Sequence, residues 1–246
     1  MNQKEFLEYM DLLTPILEEY AKSKNTTIED LMLTFITLED TGLFNYKGKQ
    51  STVYNRFKDN NIKTLKDLFD RLNNNKLNYG KNELKNNHNY YIHNEINGII
   101  TLIKYKYLGI IPESLNNLLN YQINTNDRII YFYPYPDYGF PGTILNNVYG
   151  NEYINEETLK KINELYKVLK SCGFDQSATK ALIDIAYEEK INNISLGEFL
   201  SNLSLEKINN QFKKINRELK PFLNVLNIIL DYYKNYIKVS TNNPHK

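Results

Sequence analysis

The stretch that decides the fold is Ser51–Leu72, STVYNRFKDNNIKTLKDLFDRL. Its spacing predicts two short helices joined by a tight turn, because Val53, Tyr54 and Phe57 fall on one face of the first helix. The second helix carries an apolar stripe at positions i, i+3, i+4 and i+7, which consists of Leu65, Leu68, Phe69 and Leu72. Ser51–Leu72 is therefore predicted to be a helical hairpin.

The turn of this hairpin is Asp59–Ile62, and it is rich in asparagine, which tolerates a positive φ. Thr64 then has the side chain of a helix N-cap, and Asp67 follows at the position of its capping-box partner. A capped helix N-terminus directs backbone N–H groups and the positive end of the helix dipole outward. The turn is therefore predicted to be a place where a phosphate group can bind.

The hairpin resembles the helix-hairpin-helix part of the C-terminal domain of the bacterial RNA polymerase α subunit. The matching residues are Tyr54-Asn55, Phe57, Asn60-Asn61-Ile62, Thr64-Leu65 and Asp67-Leu68, and a later stretch, Glu95–Gly98 on to Leu108-Gly109, corresponds to the last helix of the domain. The resemblance covers roughly residues 38–111 and implies a helix-hairpin-helix fold and DNA binding.

In that family an Arg and an Asn at the start of the first hairpin helix grip the DNA minor groove, together with a Gly-Lys-Lys-Ser-like turn. Asn55 matches the Asn, Thr52 stands at the Arg position, and Arg56 lies one turn away. The Gly-Lys-Lys-Ser turn is not visible, and His93-Asn94-Glu95 stands near its position. The nucleic-acid-binding residues that we expect are Thr52, Asn55, Arg56, Lys58, Asn61, Lys63, Thr64 and Lys66.

Charge is distributed unevenly along the chain, although the net charge is only +1. Residues 1–46 carry three lysines and nine acidic residues, whereas residues 47–106 carry twelve basic and five acidic residues. A basic cluster on one module is typical of a nucleic-acid-binding protein. The alternatives are that the acidic first segment folds back and neutralises this cluster, or that the lysines coat a solvated face.

The whole pattern predicts a mainly α protein with three parts. The first, residues 1–111, is a helical domain that contains the hairpin, with a first helix kinked or broken at Pro15. The second, residues 112–150, is a connector rich in proline and aromatic residues, with a short strand at Arg128–Tyr133. The third, residues 151–246, is a C-terminal helical bundle. Its stretch Asn193–Leu200 echoes Asn61–Leu68, which leaves open whether residues 178–203 form a second hairpin.

The last helices carry apolar residues that step by three and four, as in a coiled-coil seam. This seam is either ordinary core packing or an interface for a second copy or another protein. The interface residues that we expect are Ile208, Phe212, Ile215 and Leu219.

Several kinds of site have no signature in the sequence. Cys172 is the only cysteine and is expected to be a buried thiol, and His88 and His93 lack companions at metal-ligand spacing. We see no phosphate loop, no nucleophile elbow and no carboxylate pair, so we expect a non-enzymatic protein without cofactor or metal. Without a signal pattern or a long apolar run, we expect a cytoplasmic protein with no membrane segment.

Two hypotheses follow from the sequence. In the first, the protein is a DNA-binding or transcription-associated module that contacts the phosphate backbone of duplex DNA through the hairpin. In the second, it is a protein-interaction adaptor that binds RNA polymerase or another protein. The adaptor would use the C-terminal seam or the acidic N-terminal helices, and the hairpin would be only a scaffold.

Overall fold

The structure, a computed structural model, describes residues 3–45, 51–74, 87–125 and 156–238. Over these residues the chain is mainly helical, with one two-stranded sheet, and this confirms the predicted fold class. The chain forms two compact units, and each consists of two separate segments. Unit 1 comprises Met1–Thr41 and Tyr54–Tyr79, and unit 2 comprises Gly42–Val53 and Gly80–Lys246.

Unit 1 is built from α1 (Gln3–Ser23), α2 (Ile28–Phe35), the greater part of α3 (Thr52–Asp59) and α4 (Leu65–Asn73). Helix α2 packs against α1 and α4. An isolated antiparallel bridge between Thr37 and Thr64 joins the end of α2 to the start of α4. The apolar faces predicted for the hairpin are buried here, among them Tyr54, Phe57, Leu65, Leu68 and Phe69.

Helix α1 runs through Pro15 without interruption, so the predicted break into two helices is wrong. Proline removes one backbone donor and needs room for its ring. Pro15 and Asp11 are both exposed, so water can bind the Asp11 carbonyl that receives no hydrogen bond from Pro15.

Unit 2 is a helical assembly around α5 (Asn87–Leu108) and α7 (Glu156–Ser171), which pack along each other. The other helices of the unit are α6 (Glu113–Leu119), α8 (Gln176–Glu188), α9 (Leu196–Ser201), α10 (Leu205–Lys214) and α11 (Leu219–Tyr232), and α11 continues into the π-helical segment Tyr233–Lys238. Helix α8 packs between α7 and α10, while α11 packs against α5, α9 and α10. The completely buried side chains include Leu102, Ile103, Ile162, Leu169, Leu182, Ile185, Phe212 and Ile229.

A short two-stranded sheet connects the middle of the chain with its C-terminal part. Strand β1 (Gln122–Asn124) pairs antiparallel with β2 (Asn192–Ser195), and a bulge lies after Ile123. Thr125 extends the connection, because its backbone N–H and its hydroxyl both donate to the carbonyl of Ile191.

The unit boundaries differ from the predicted domains 1–111, 112–150 and 151–246. Helix α5, predicted in the first domain, packs on α7 and belongs to unit 2, because the apolar stripe of α5 is long and α7 presents the matching stripe. The predicted strand Arg128–Tyr133 and the proline-rich stretch that follows it lie outside the described residues.

One turn geometry recurs between helices of both units. In each case the second residue after the helix has a positive φ and the next N–H donates to the carbonyl five residues earlier, which is a Schellman cap. The positive-φ residues are Asn25, Asn61, Gly173, Lys190 and Asn216. The turn of the predicted hairpin is therefore one of several similar helix-reversing turns in the described part of the chain. Residues 178–203 use it too, with β2 inserted before α9.

Among the described residues, none of the helices is both long enough and apolar enough to span a bilayer.

Candidate functional site

The hairpin forms locally as its sequence predicts. Asn61 takes the left-handed conformation at φ 55°, and Ile62 closes the turn from a buried position. The hydroxyl of Thr64 accepts a hydrogen bond from the N–H of Asp67, and the Asp67 carboxylate accepts one from the N–H of Thr64. The predicted capping box is confirmed.

The backbone N–H groups at this turn are nevertheless not open to a phosphate. The N–H groups of Lys63 and Thr64 both donate to Oδ2 of Asp67, at 3.0 and 2.9 Å. The N–H of Leu65 donates to the carbonyl of Ile36 at 2.9 Å. The expectation that these N–H groups point outward is wrong, because the capping carboxylate and the bridge to the end of α2 already satisfy them.

The basic side chains of the hairpin divide into two groups. Lys66 donates to Asp70 at 2.5 Å and lies 3.8 Å from Asp30 of α2, and its hydrogen bond to Asp70 raises the pKa of Lys66. Of these two acids, only Asp30 belongs to the acidic first segment. Its contact with Lys66 agrees in part with the alternative that this segment neutralises the basic one. Arg56 and Lys58 have no ion-pair partner among the described residues.

The remaining predicted nucleic-acid residues are polar groups at the surface of the hairpin. Thr52, Asn55, Asn61 and Lys63 are exposed, and Thr64 is half-buried by its role as N-cap. The structure therefore brings Asn55, Arg56, Lys58 and Lys63 together on the outside of one hairpin in unit 1. Any contact with a phosphate there has to come from side chains.

The predicted C-terminal interface is not a continuous surface. Ile208 and Phe212 are completely buried, and the ring of Phe212 packs edge-on against that of Phe222 at 5.4 Å. Helix α10 ends at Lys214, so Ile215 lies in the turn and is 55% exposed, and Leu219 begins α11 half-buried. The interface prediction is wrong for Ile208 and Phe212, because the periodicity that suggested a seam is that of the core.

Helix α1 carries an exposed row of apolar residues. Leu12, Ile16 and Tyr20 are spaced by four residues and are 73%, 63% and 47% exposed, respectively. Ala21, on the neighbouring face of the helix, is buried. Helix α1 therefore buries only part of its apolar face and leaves this row exposed. Exposed Glu19 lies next to the row, one turn after Ile16, and the exposed acids Asp11 and Glu18 lie farther round the helix. The sequence shows the helical spacing of the apolar residues, but it does not show which of them remain exposed.

Unit 2 contains a buried cluster of four charged side chains. Lys170 of α7 donates to Glu95 of α5, and both side chains are at most 5% exposed. Arg217, just before α11, donates through Nη2 to Asp175, the N-cap of α8. Asp175 also accepts from the N–H of Ala178 at 2.9 Å.

Burial changes the protonation of this cluster. Removal from water raises the pKa of Glu95 from 4.5 to about 7, because it outweighs the attraction of Lys170 and Arg217. Burial also lowers the pKa of Arg217, which Asp175 and Glu95 oppose. The same burial, with the negative charge of Glu95 nearby, raises the pKa of Tyr166. The cluster thus contains a carboxyl group that changes charge near neutral pH.

A small cavity lies beside this cluster. Glu95, Asp175 and Arg217 line its polar side, and its apolar side includes Phe174, Phe222 and Val225. Its volume of about 10 Å³ is close to the space that one water molecule needs.

This cluster is not evident in the sequence because its members come from four separate segments. The available signal was that Glu95 and Lys170 both stand within apolar stripes, Glu95 beside Ile96 and Lys170 beside Leu169. A charge on a core-facing position indicates a buried partner, since an unpaired buried charge is very costly. The sequence does not identify that partner.

Comparison of the chain with known proteins finds no protein family, no curated protein and no solved structure that matches it.

Proposed function

We propose that unit 1 is a protein-binding module whose α1 face receives an amphipathic helix that carries basic residues. The observation that supports this most is the exposed row Leu12, Ile16 and Tyr20. Large apolar side chains exposed singly are common, but a row at helical spacing forms the kind of stripe that partner helices bind.

The charge beside the row indicates the chemistry of the partner. Glu19 is exposed beside the row, Asp11 and Glu18 are exposed farther round the same helix, and residues 1–46 carry nine acidic residues against three lysines. Complementary charge favours a partner with lysine or arginine next to its apolar stripe. A second copy of this chain fits less well, because two-fold symmetry sets a patch against itself and would bring the two acidic helices together.

The test uses the full chain and two synthetic helical peptides with the same leucine stripe, one with lysine and one with glutamate at the flanking positions. Fluorescence anisotropy should show tight binding of the lysine peptide only. Ile16→Asp should weaken that binding by at least about tenfold, as expected for a central apolar contact. Leu205→Asp is the matched control, because Leu205 is 47% exposed in unit 2.

Two results would overturn the proposal. One is equal binding of both peptides, or binding that Ile16→Asp leaves intact. The other is a concentration-dependent dimer, measured by sedimentation, that Ile16→Asp abolishes, since the occupant would then be a second copy. Ile16 is 63% exposed, so its replacement should change the free energy of unfolding by no more than about 0.5 kcal/mol.

The second candidate function is binding of duplex DNA by hairpin side chains, in a DNA-binding or transcription-associated protein. It is supported by the exposed Asn55, Lys58 and Lys63, and by Arg56, which pairs with no described acid. The resemblance to the RNA polymerase α C-terminal domain, and polymerase as a partner, remain predictions. The capped turn limits this function to side-chain contacts.

The DNA test is a salt series with the full chain and a labelled duplex. Arg56→Ala should weaken binding to every sequence by a similar factor and reduce the slope of log K against log[salt] by about one. Lys220→Ala removes an exposed charge from unit 2 and is the control. If both variants weaken binding equally, the hairpin is not a specific phosphate site. A cytoplasmic location is part of both proposals, because a single buried thiol suits a reducing compartment.

A further inference from the structure

Arg217 is a buried cation whose hydrogen bonds are incomplete. Its side chain is 5% exposed. Nη2 donates to Asp175, but Nε and Nη1 find no acceptor among the described residues. The ring centroid of Phe212 lies 4.2 Å from Cζ, so an apolar ring covers one face of the guanidinium. Buried N–H donors without acceptors are costly, so Arg217 requires a further acceptor.

The small cavity beside Arg217 limits the size of that acceptor. Glu95, Asp175 and Arg217 line the polar side of the cavity. Its volume of about 10 Å³ is close to that of one water-sized probe, so a larger ligand does not fit. A purely apolar cavity stays dry, whereas a cavity whose wall carries donors and acceptors can hold a buried water.

The charges on the cavity wall favour a neutral occupant. The carboxylates of Glu95 and Asp175 repel an anion, and the guanidinium of Arg217 repels a cation. Water suits both signs, because its oxygen accepts from the guanidinium while its hydrogens point to carboxylates. Lys170 donates to one oxygen of Glu95, and Ala178 and Arg217 donate to the two oxygens of Asp175. Both carboxylates have further capacity, since an ionised carboxylate can accept about four hydrogen bonds.

We propose that this cavity binds one ordered water molecule, which accepts a hydrogen bond from Nε or Nη1 of Arg217 and donates to the carboxylates of Glu95 and Asp175. These three side chains come from α5, from the N-cap of α8 and from the turn before α11. The water therefore joins three segments that are far apart in the chain. The site lies in unit 2, and its test does not depend on the function proposed for unit 1.

The first test is a high-resolution crystal structure of the full chain, from crystals grown in sodium bromide. One ordered oxygen should lie in the cavity, about 2.7–3.2 Å from Nε or Nη1 of Arg217, and it should give no anomalous signal. A dry cavity would overturn the proposal. An anomalous peak would overturn it as well, because the occupant would then be an anion.

Val225→Ile tests the site in solution, because Val225 lines the cavity and the added carbon takes the space of the water. Magnetic relaxation dispersion of the solvent should count one long-lived water fewer in this variant than in the parent. The Tm should fall, since Arg217 loses an acceptor. An unchanged number of long-lived waters would contradict the proposal.

A double-mutant cycle separates the loss of a water from simple overpacking, which also lowers stability. Arg217→Met removes the guanidinium donors and keeps an unbranched side chain. In the Arg217→Met background, Val225→Ile should lower the Tm much less than in the parent, because no N–H of Arg217 loses its acceptor there. Equal losses of Tm in the two backgrounds would show that overpacking alone is responsible, and the proposal would be refuted.

Discussion

Replacement of Gly98 by alanine tests the closest helix contact in unit 2. Gly98 is inside α5, where it faces the end of α7. A Cβ atom at this position would lie 2.4 Å from the backbone N of Gly173, 2.6 Å from the carbonyl O of Ser171 and 2.8 Å from the Cα of Gly173. All three are backbone atoms, so no side-chain rotation can relieve the overlap.

Two opposing effects determine how much Gly98→Ala changes the free energy of unfolding. In a helix interior, alanine is favoured over glycine by about 1 kcal/mol. Overpacking of a tight contact typically costs about 1–3 kcal/mol, and the upper end applies when backbone has to move. We therefore expect Gly98→Ala to lower the free energy of unfolding by about 2 kcal/mol. For a chain of this size, that corresponds to a Tm lower by roughly 4–8 °C.

The assay is urea unfolding together with a thermal scan, and Asn97→Ala is the control on the same helix. Asn97 is exposed and its side chain reaches only His93 among the described residues, so its replacement should change stability by less than about 0.5 kcal/mol. A Gly98→Ala protein as stable as the parent, or more stable, would show that helix propensity dominates. The close approach of Gly98 to Gly173 would then be refuted.

Three further predictions follow from buried groups. Phe212→Ala should cost about 3–5 kcal/mol and Ile215→Ala less than about 0.5, because only Phe212 is in the core; urea unfolding of both variants measures the difference. Tyr232→Phe removes a hydroxyl whose single hydrogen is shared between Oδ1 of Asn116 at 2.7 Å and the carbonyl of Pro112 at 3.1 Å, and it should lower the Tm by an amount that corresponds to about 1 kcal/mol. Burial raises the pKa of the Cys172 thiol to about 12, so iodoacetamide should label it only as fast as the chain unfolds, and rapid labelling of the native protein would contradict its burial.

The pH dependence of stability is tied to Glu95. Because burial raises its pKa to about 7, the native chain binds more protons than the unfolded chain between about pH 5 and pH 7. The free energy of unfolding should therefore fall across this window as pH rises, by up to about 3 kcal/mol. Denaturant titrations at each pH measure this, and the slope should vanish in Glu95→Gln.

What the sequence predicted correctly is local in origin. Helices α3 and α4, the left-handed Asn61 and the capping box of Thr64 are all determined by residues within a few positions of each other. Short-range hydrogen bonds and steric limits on φ act regardless of the rest of the fold, so a single sequence reveals them.

What the sequence did not predict depends on contacts between distant residues. The apolar period of α10 was correct, but whether Phe212 faced a core or a partner depended on where Phe222 and Phe174 lie. The cluster around Arg217 requires residues from α5, α7 and the start of α8. The hydrogen bond that the N–H of Leu65 donates likewise depends on Ile36, at the end of α2. Spacing along one helix contains no information about any of these partners.

The interleaving of the two units has a consequence for synthesis on the ribosome. The side chain of Asn224 donates to the carbonyl of Gly42 at 2.8 Å, across a separation of 182 residues. At a translation rate of about 5–20 residues per second, Gly42 leaves the ribosome roughly 10–40 s before its partner. Unit 1 has all of its segments once α4 has emerged, whereas unit 2 must wait for α11. Between the emergence of α5 and that of α11, the apolar face of α5 that packs on α11 is uncovered, so the nascent chain should be a substrate for ribosome-associated chaperones during that interval.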